Sequence, residues 1–337
     1  MEKRNIGKSG LSAPFLGMGT WAIGGGSWWG DNDDALSVKA ILTAVEQGIT
    51  WVDTAPIYGL YHSEEVVGEA LKHLDRDKII LSTKCGLEWR HESPVLHKVV
   101  DGVQVYRDLS EKSILEDVEE SLKRLGTDHI DLYYQHRIDP AVPIEDVAGV
   151  MAELIQEGKI THWGLSEAYE ETIRRAHAVC PVTAVQNRYS MMARWYEELF
   201  PVLEELHIGY VAFSPLANGF LSAKYGKDAK FDGVYDYRSM MPQFTSEAVD
   251  KNKELLTLLH RMAEEKESTP AQISLAWILC RKPYLVPIPG SRKEERLKEN
   301  AGAADIILTA SEMTALDEAL ETMEMSDVFG GSKIKKR

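Results

Sequence analysis

The chain predicts an α/β protein built on an eight-stranded parallel (β/α)8 barrel, with an N-terminal hairpin and long loops at the C-terminal face. Three observations lead there. Short apolar, strand-like runs alternate with helix-like repeats almost to the end of the chain. About eight such runs occur, each followed by a helical pattern. The 337 residues exceed the ~250 typical of such a barrel, which leaves room for loop insertions.

The elements follow in order. KRNIGKSGLS, within the first dozen residues, reads as a small hairpin capping the barrel bottom. Residues 15–20 form a first strand of weak apolar content. Residues 49–53, 79–84, 130–136, 160–166, 182–186, 208–214 and 285–288 read as short buried strands. Between them Leu36, Ala40, Ile41, Ala44 and Val45 repeat at helical spacing and stop at Gly48. Ile114, Leu115, Val118, Leu122 and Leu125 do the same, with Ser110 as N-cap and Gly126 as C-terminal stop. Val147, Val150, Met151, Leu154 and Ile155 run to Gly158. Residues 217–244 show no clear periodicity and are rich in Gly, aromatics and Lys, the pattern of a functional loop. No linker, repeat or low-complexity segment divides the chain, so residues 1–337 are expected to form a single domain.

Composition narrows the function. The formal net charge of −15 excludes a broad positive field for nucleic acid or anionic lipid. The basic end, residues 333–337, reads as a solvated terminus. Cys85, Cys180 and Cys280 lack metal or redox spacing, so they are expected to be reduced thiols of a cytoplasmic protein, with no metal site. No apolar run approaches the ~20 residues of a membrane span. The N-terminus MEKRNIGKSG carries no apolar signal core.

Gly17, Gly19 and Ala22 fit the dinucleotide fingerprint G-x-G-x-x-A, which requires a following helix. The next residues, IGGGSWWG, are read as unable to open one. Gly24 to Gly26 instead suit a loop bending close to something flat, with Trp28 and Trp29 alongside.

The chemistry lies at strand ends. In GITWVDTAPIYG, KIILSTKCG and HIDLYYQHRIDP, apolar runs end in ionisable residues: Asp53 after the second strand, Lys84 after the third, His136 after the fourth. Tyr58 follows Asp53 on the adjacent loop. The C-terminal strand ends of a β/α barrel converge on one mouth, so all four reach one point. A free phenol, pKa ~10, is too weak an acid for ready exchange at neutral pH. A nearby ammonium lowers it. Asp53 is expected to hold Lys84, and His136 to orient a substrate oxygen. The set forms an acid catalyst facing a carbonyl. Reduction also needs a hydride, which no side chain supplies, so a nicotinamide cofactor is implied.

These residues sit within longer motifs: LGMGTW, VDTAPIYG followed by SEEVVGEAL, STKCG, LKRLGTDHIDLYYQHR, EGKITHWGLSE, VQNRYS, VAFSPLANGFL and IPGSRKEERLKEN. In them the chain resembles the aldo-keto reductases, including bacterial members and relatives of potassium-channel β subunits. The resemblance spans nearly the whole chain. It implies a TIM barrel that binds extended NADPH without a Rossmann domain. It assigns Tyr58 as proton donor, Lys84 as the group lowering its pKa, Asp53 as support and cofactor neighbour, and His136 as the group orienting the carbonyl.

The resemblance also implies the cofactor contacts. Gly19, Thr20 and Trp21 match positions at the nicotinamide end, and Ser166 and Gln186 match side chains that bind its carboxamide. Glu167 stands where relatives often carry Asn, and that side chain receives no role. Phe213 matches the aromatic that stacks on the nicotinamide ring. Ser214, Pro215, Leu216, Gly219 and Lys224 match the stretch along the pyrophosphate, although Lys224 also suits a plain surface lysine. After the eighth strand, Gly290 leads into Ser291, Arg292 and Arg296. A hydroxyl, two guanidinium groups and helix N-terminal N–H groups suit an anion. The family holds the adenosine 2′-phosphate there, with Glu299 and Asn300 at the adenine.

Trp21, Trp28, Trp29 and Trp89 are expected to crowd the mouth and form an aromatic-walled pocket for a small or flat carbonyl compound. Oligomeric state is left open, because no coiled-coil repeat or interface stripe appears. Two further functions are carried forward. One is a cofactor-binding regulatory module resembling channel β subunits. The other is a cofactor-free barrel isomerase or lyase, which would need a strand-end carboxylate base and for which Asp53 beside Lys84 is poorly suited.

Overall fold

The computed structural model describes residues 1–231 and 236–329. The basic end at 333–337, and residues 232–235 of the 217–244 stretch, lie outside the described residues. Eight strands form one sheet in strict sequence order. They are β1 (Met18–Gly19), β2 (Trp51–Asp53), β3 (Ile80–Cys85) and β4 (Ile130–Gln135). After them come β5 (Ile160–Ser166), β6 (Ala184–Arg188), β7 (Gly209–Phe213) and β8 (Leu285–Pro287). Every neighbouring pair is parallel. The Gly17 N–H donates to the Pro287 carbonyl (3.0 Å), which brings the last strand back to the first.

A helix follows each strand: α1 (Asp34–Glu46), α2 (His62–Leu71), α3 (Glu111–Leu125) and α4 (Ile144–Gln156). Next come α5 (Glu170–Val179), α6 (Phe200–Leu206), α7 (Pro270–Arg281) and α8 (Glu294–Ala301). Their ends follow local chemistry. Ser110 accepts a hydrogen bond from the Ser113 N–H at the start of α3, and Gly126 closes it at φ 66°. Leu36 departs from the predicted buried stripe of α1; it lies in the first turn and is 56% exposed.

The strands bury both faces, as parallel strands between a barrel interior and a helical shell must. Inside, Trp51, Leu132, Tyr134, Val211 and Val286 pack together. The predicted N-terminal hairpin is present, pairing Lys3–Asn5 with Ser12–Pro14. It inserts Ile6 and Ala13 into that same interior cluster and closes the bottom.

Two features correct the sequence reading. The run after β1 does form helix: a 3₁₀ turn at Trp21–Gly24 and one α-turn at Gly26–Trp29. Gly25, at φ 63°, separates them, so the pieces never join into the long helix that a dinucleotide fingerprint needs. The second feature, a three-stranded antiparallel sheet between β3 and α3, was not foreseen. It joins Leu87–Glu88, Val95–Val100 and Val103–Arg107. Its tight turn is Asp101-Gly102, with φ of 50° and 80°. Positive φ at both central residues is the I′ geometry that matches strand twist, so the Asp-Gly pair between apolar alternations was a readable signal. This sheet packs Leu87, Val100 and Val105 on Ala55 and Ile57, beside the loop that carries Tyr58. Among the described residues no helix is long and apolar enough to cross a membrane.

Candidate active site

Asp53 closes β2, and Lys84 is the penultimate residue of β3, one strand over. Both are 1% exposed. The Lys84 ammonium donates to Asp53 Oδ1 (2.7 Å) and to the Thr54 carbonyl (2.8 Å). Asp53 Oδ2 accepts from Ser82 Oγ and Gln186 Nε2, both at 2.8 Å. The Ser82 hydroxyl is itself aimed by the Trp51 indole N–H (2.9 Å). Both carboxylate oxygens are thus engaged, as a buried ion pair requires.

Tyr58 sits above this pair on the turn after β2. Its ring centroid lies 5.1 Å from Lys84 Nζ, and the His136 ring meets it edge-on at 6.0 Å and 85°. The turn is clamped by backbone. A Cβ on Gly59 would lie 2.0 Å from the Gly24 carbonyl oxygen, and one on Gly24 would strike the Tyr58 carbonyl. The flat neighbour expected of the Gly24–Gly26 loop is therefore the Tyr58–Gly59 peptide.

The electrostatics divide the roles. Burial pushes the Tyr58 phenol above its ordinary range; Lys84 pulls it back and Asp53 adds to the rise. The ammonium acts in the expected direction, yet desolvation outweighs it, and Tyr58 is a protonated acid at neutral pH. Burial alone would pull Lys84 down, but Asp53 and Tyr58 more than compensate and hold it charged. Burial, then Arg137, Lys84, Lys98 and His97, hold His136 well below its ordinary range. The imidazole is neutral and has one N–H to offer an oxygen.

These groups open onto a cavity of about 1070 Å³. Asp53, Tyr58 and His136 line it, whereas Lys84 lies behind the lining. Gly19, Thr20 and Trp21 line it from the end of β1; Ser166 and Gln186 line it from β5 and β6. Gln186 donates from its amide nitrogen to Asp53 while it lines the cavity beside Ser166. Phe213, Ser214, Pro215, Leu216, Gly219 and Lys224 continue the wall, and Gly290, Ser291, Arg292, Arg296, Glu299 and Asn300 complete its far end. The Gly19 and Gly290 backbones pack closely; a Cβ on Gly290 would lie 2.5 Å from the Gly19 carbonyl oxygen.

The far end is cationic. Arg292 donates to the carbonyls of Trp29 and Asp31, each at 3.0 Å, so it ties the β1 loop to the start of α8. Arg296 reaches the Tyr225 hydroxyl (3.2 Å), and Lys224 pairs with Glu299 (2.7 Å). Lys293 occupies the N-cap position of α8 without a side-chain cap bond, so side chains leave that helix N-terminus free for an anion.

At the mouth, Trp28 and Trp29 each meet Trp21 edge-on at 5.1 Å, and all three line the cavity. Trp89 does not. It packs against Tyr61 at 4.5 Å, held there by the unforeseen antiparallel sheet, so its expected place at the mouth is corrected. Other lining residues escaped the sequence reading: Lys98 on that sheet, Tyr237 and Arg238 beyond β7, and Phe329 near the C-terminus. Tyr237 stacks on Trp28 (5.3 Å) and Phe329 on Trp21 (6.2 Å). Arg188 also lines the cavity. It stands two residues after Gln186 on the same strand, and the period of two was signal enough to find it.

The profile of the Aldo/keto reductase family matches residues 15–321. A probable aldo-keto reductase 1 of Glycine max is 39% identical over 332 residues, covering 97% of this chain and 90% of the relative. The structure of a glycerol dehydrogenase from Gluconobacter oxydans aligns with a TM-score of 0.86, 29% identity and 99% of both chains covered. An aldo-keto reductase of Klebsiella pneumoniae, solved in complex with NADPH, aligns with a TM-score of 0.70, 26% identity and 95% of each chain covered. With the barrel and strand-end constellation above, these matches place the chain in the aldo/keto reductase family.

Proposed function

We propose that this protein, an NADP-dependent oxidoreductase by its family, reduces an aldehyde or ketone to the alcohol as a single-domain enzyme, with Tyr58 as general acid. The observation that carries the reading is the protonated phenol of Tyr58 over the buried Lys84–Asp53 pair, facing a neutral His136 at one end of a cavity whose other end is cationic. The cavity suits NADPH: Phe213 offers a ring face, and Ser291, Arg292 and Arg296 would hold the 2′-phosphate. When bound, the cofactor supplies the hydride.

The chain's own residues supply the rest. His136 donates its N–H to the substrate carbonyl oxygen and turns it toward Tyr58. As negative charge develops on that oxygen, the Tyr58 hydroxyl hands over its proton. The phenolate left behind lies beside the Lys84 ammonium, which lowers the cost of forming it in a dry site. Asp53, fixed by Ser82 and Gln186, keeps Lys84 from following the new charge. The aromatic walls exclude water around the reacting oxygen.

The test is NADPH-dependent turnover on a panel of aldehydes and ketones, read at the nicotinamide absorbance band. Tyr58→Phe is expected to lose roughly 10²- to 10⁴-fold in kcat, the range of general acid catalysis. A Tyr58→Phe enzyme with near wild-type turnover would overturn the assignment. Tight NADPH binding without turnover on any carbonyl would favour a regulatory module instead.

A further inference from the structure

The reductase reading leaves a group of cations beside His136 without a task. Arg188 closes β6 and is 7% exposed, yet it lines the cavity. Its guanidinium lies 4.9 Å from the Phe213 ring centroid and 5.8 Å from that of Phe329. Among the described residues its side chain has no hydrogen-bonded or ion-paired partner. Lys98, on the antiparallel sheet, lines the same cavity with its ammonium 3.9 Å from the Trp28 ring centroid, and among the described residues it too has no ion-paired carboxylate. Arg137, next to His136, is anchored: it donates to the His136 carbonyl (2.8 Å), and its Nε lies 3.6 Å from Glu167. Arg188, Lys98 and Arg137 thus share Glu167 as a neighbouring carboxylate.

Burial without a partner is unfavourable for a cation. It pulls Arg188 down to about 10 and Lys98 down to about 8. For Arg188 the nearby Glu167 offsets part of this and Arg137 adds to it; for Lys98 Arg137 adds to it and Glu167 offsets part. The aromatic rings offer only partial compensation. An anion entering beside His136 would supply the missing partner. Arg188 presents a planar fork that matches a carboxylate edge, while the surrounding rings suit a small, compact group rather than a hydrated one.

Resting on the reductase reading, we propose that the substrate is a carbonyl compound that also carries a carboxylate, held by Arg188 and Lys98 while its carbonyl meets Tyr58 and His136. Glu167 would then limit the charge of the empty pocket and leave room for one monoanion.

The experiment uses the full chain with saturating NADPH and matched pairs of aldehydes: succinic semialdehyde against butanal, and 4-carboxybenzaldehyde against benzaldehyde. The carboxylate member is expected to show the higher kcat/KM, by roughly ten- to hundredfold, carried mainly in KM. Arg188→Leu and, separately, Lys98→Met should each lower the ratio of the paired kcat/KM values about tenfold. NADPH affinity, read by tryptophan quenching, should stay within about twofold. Lys98 stands on the antiparallel sheet outside the barrel, so its variant keeps the test open if Arg188→Leu fails to fold. Equal ratios in wild type and variants would overturn the proposal while leaving the reductase standing. A loss of NADPH affinity would also overturn it, by assigning these cations to the cofactor. Absence of turnover on all four aldehydes would count against the reductase reading itself.

Discussion

The Lys84–Asp53 pair allows stability and catalysis to be separated in one set of variants. Lys84→Met removes the cation and leaves the Asp53 carboxylate, 1% exposed, with only the two neutral donors Ser82 and Gln186, each at 2.8 Å. The Thr54 carbonyl loses its donor as well. Breaking a buried pair on one side costs about 3–5 kcal/mol. The double variant Asp53→Asn/Lys84→Met removes both charges, and because Asn keeps a side-chain oxygen for the Ser82 and Gln186 donors, about half or more of that loss should return. Turnover should not return: without the ammonium, nothing stabilises the Tyr58 phenolate, and kcat stays down by roughly 10²-fold or more in both variants. The assay is urea unfolding followed by the fluorescence of the eight tryptophans, with turnover measured on the same samples. A single variant that loses under about 1 kcal/mol with an unchanged m-value would mean the pair behaves like an exposed one. A stable double variant with wild-type turnover would refute the proposed link between Lys84 and Tyr58.

Three other outcomes follow from the site. Reduction requires Tyr58 protonated and His136 neutral; the first is held above, and the second well below, its ordinary range. Turnover in the reducing direction should therefore stay level from about pH 6 to about pH 9 and fall only near or above the ordinary phenol value of about 10. A break near the ordinary histidine value of about 6.5 that disappears in His136→Gln would contradict the neutral assignment. Arg296→Ala should weaken NADPH by roughly ten- to hundredfold and NADH far less, as titrations of tryptophan quenching would show; equal losses would remove the 2′-phosphate from that site. Trp89→Ala should lower the unfolding midpoint and leave KM for aldehydes unchanged, whereas Trp28→Ala should raise KM. A reversed pattern would return Trp89 to the mouth.

The barrel was legible because its strands are short, apolar on both faces and punctuated, and because Ser110 and Gly126 mark the ends of α3 by local bonding alone. Asp53, Lys84 and His136 were legible for the same reason: an ionisable residue that closes an apolar run stands out. The sign of the Tyr58 shift was not. It depends on burial against charge, and sequence supplies the neighbours but not the depth. The antiparallel sheet left a clear trace in Asp101-Gly102, and Arg188 left one in its spacing from Gln186. Phe329 left none. It reaches Trp21 from the other end of the chain, through an N–H donated to Gln243 (2.9 Å), a contact no local pattern encodes.

Bulk charge illustrates the same boundary between what is local and what is enclosed. A formal charge of −15 argues against binding polyanions, and that argument concerns the exterior. Yet Lys98, Arg137, Arg188, Arg238, Arg292 and Arg296 all line one cavity. At physiological ionic strength exposed charges are screened beyond about 8 Å, so an acidic surface contributes little to the potential inside a cleft. Within the cleft, low-dielectric walls make each unpaired cation count for more than it would in water. An anion is therefore met by the lining and not by the net charge. The exterior instead sets how often an anion arrives, which separates rate of entry from strength of binding. On this account the acidic shell and the basic cavity are compatible parts of one enzyme: the first keeps large polyanions away, and the second holds small ones whose charge is matched by a few named side chains.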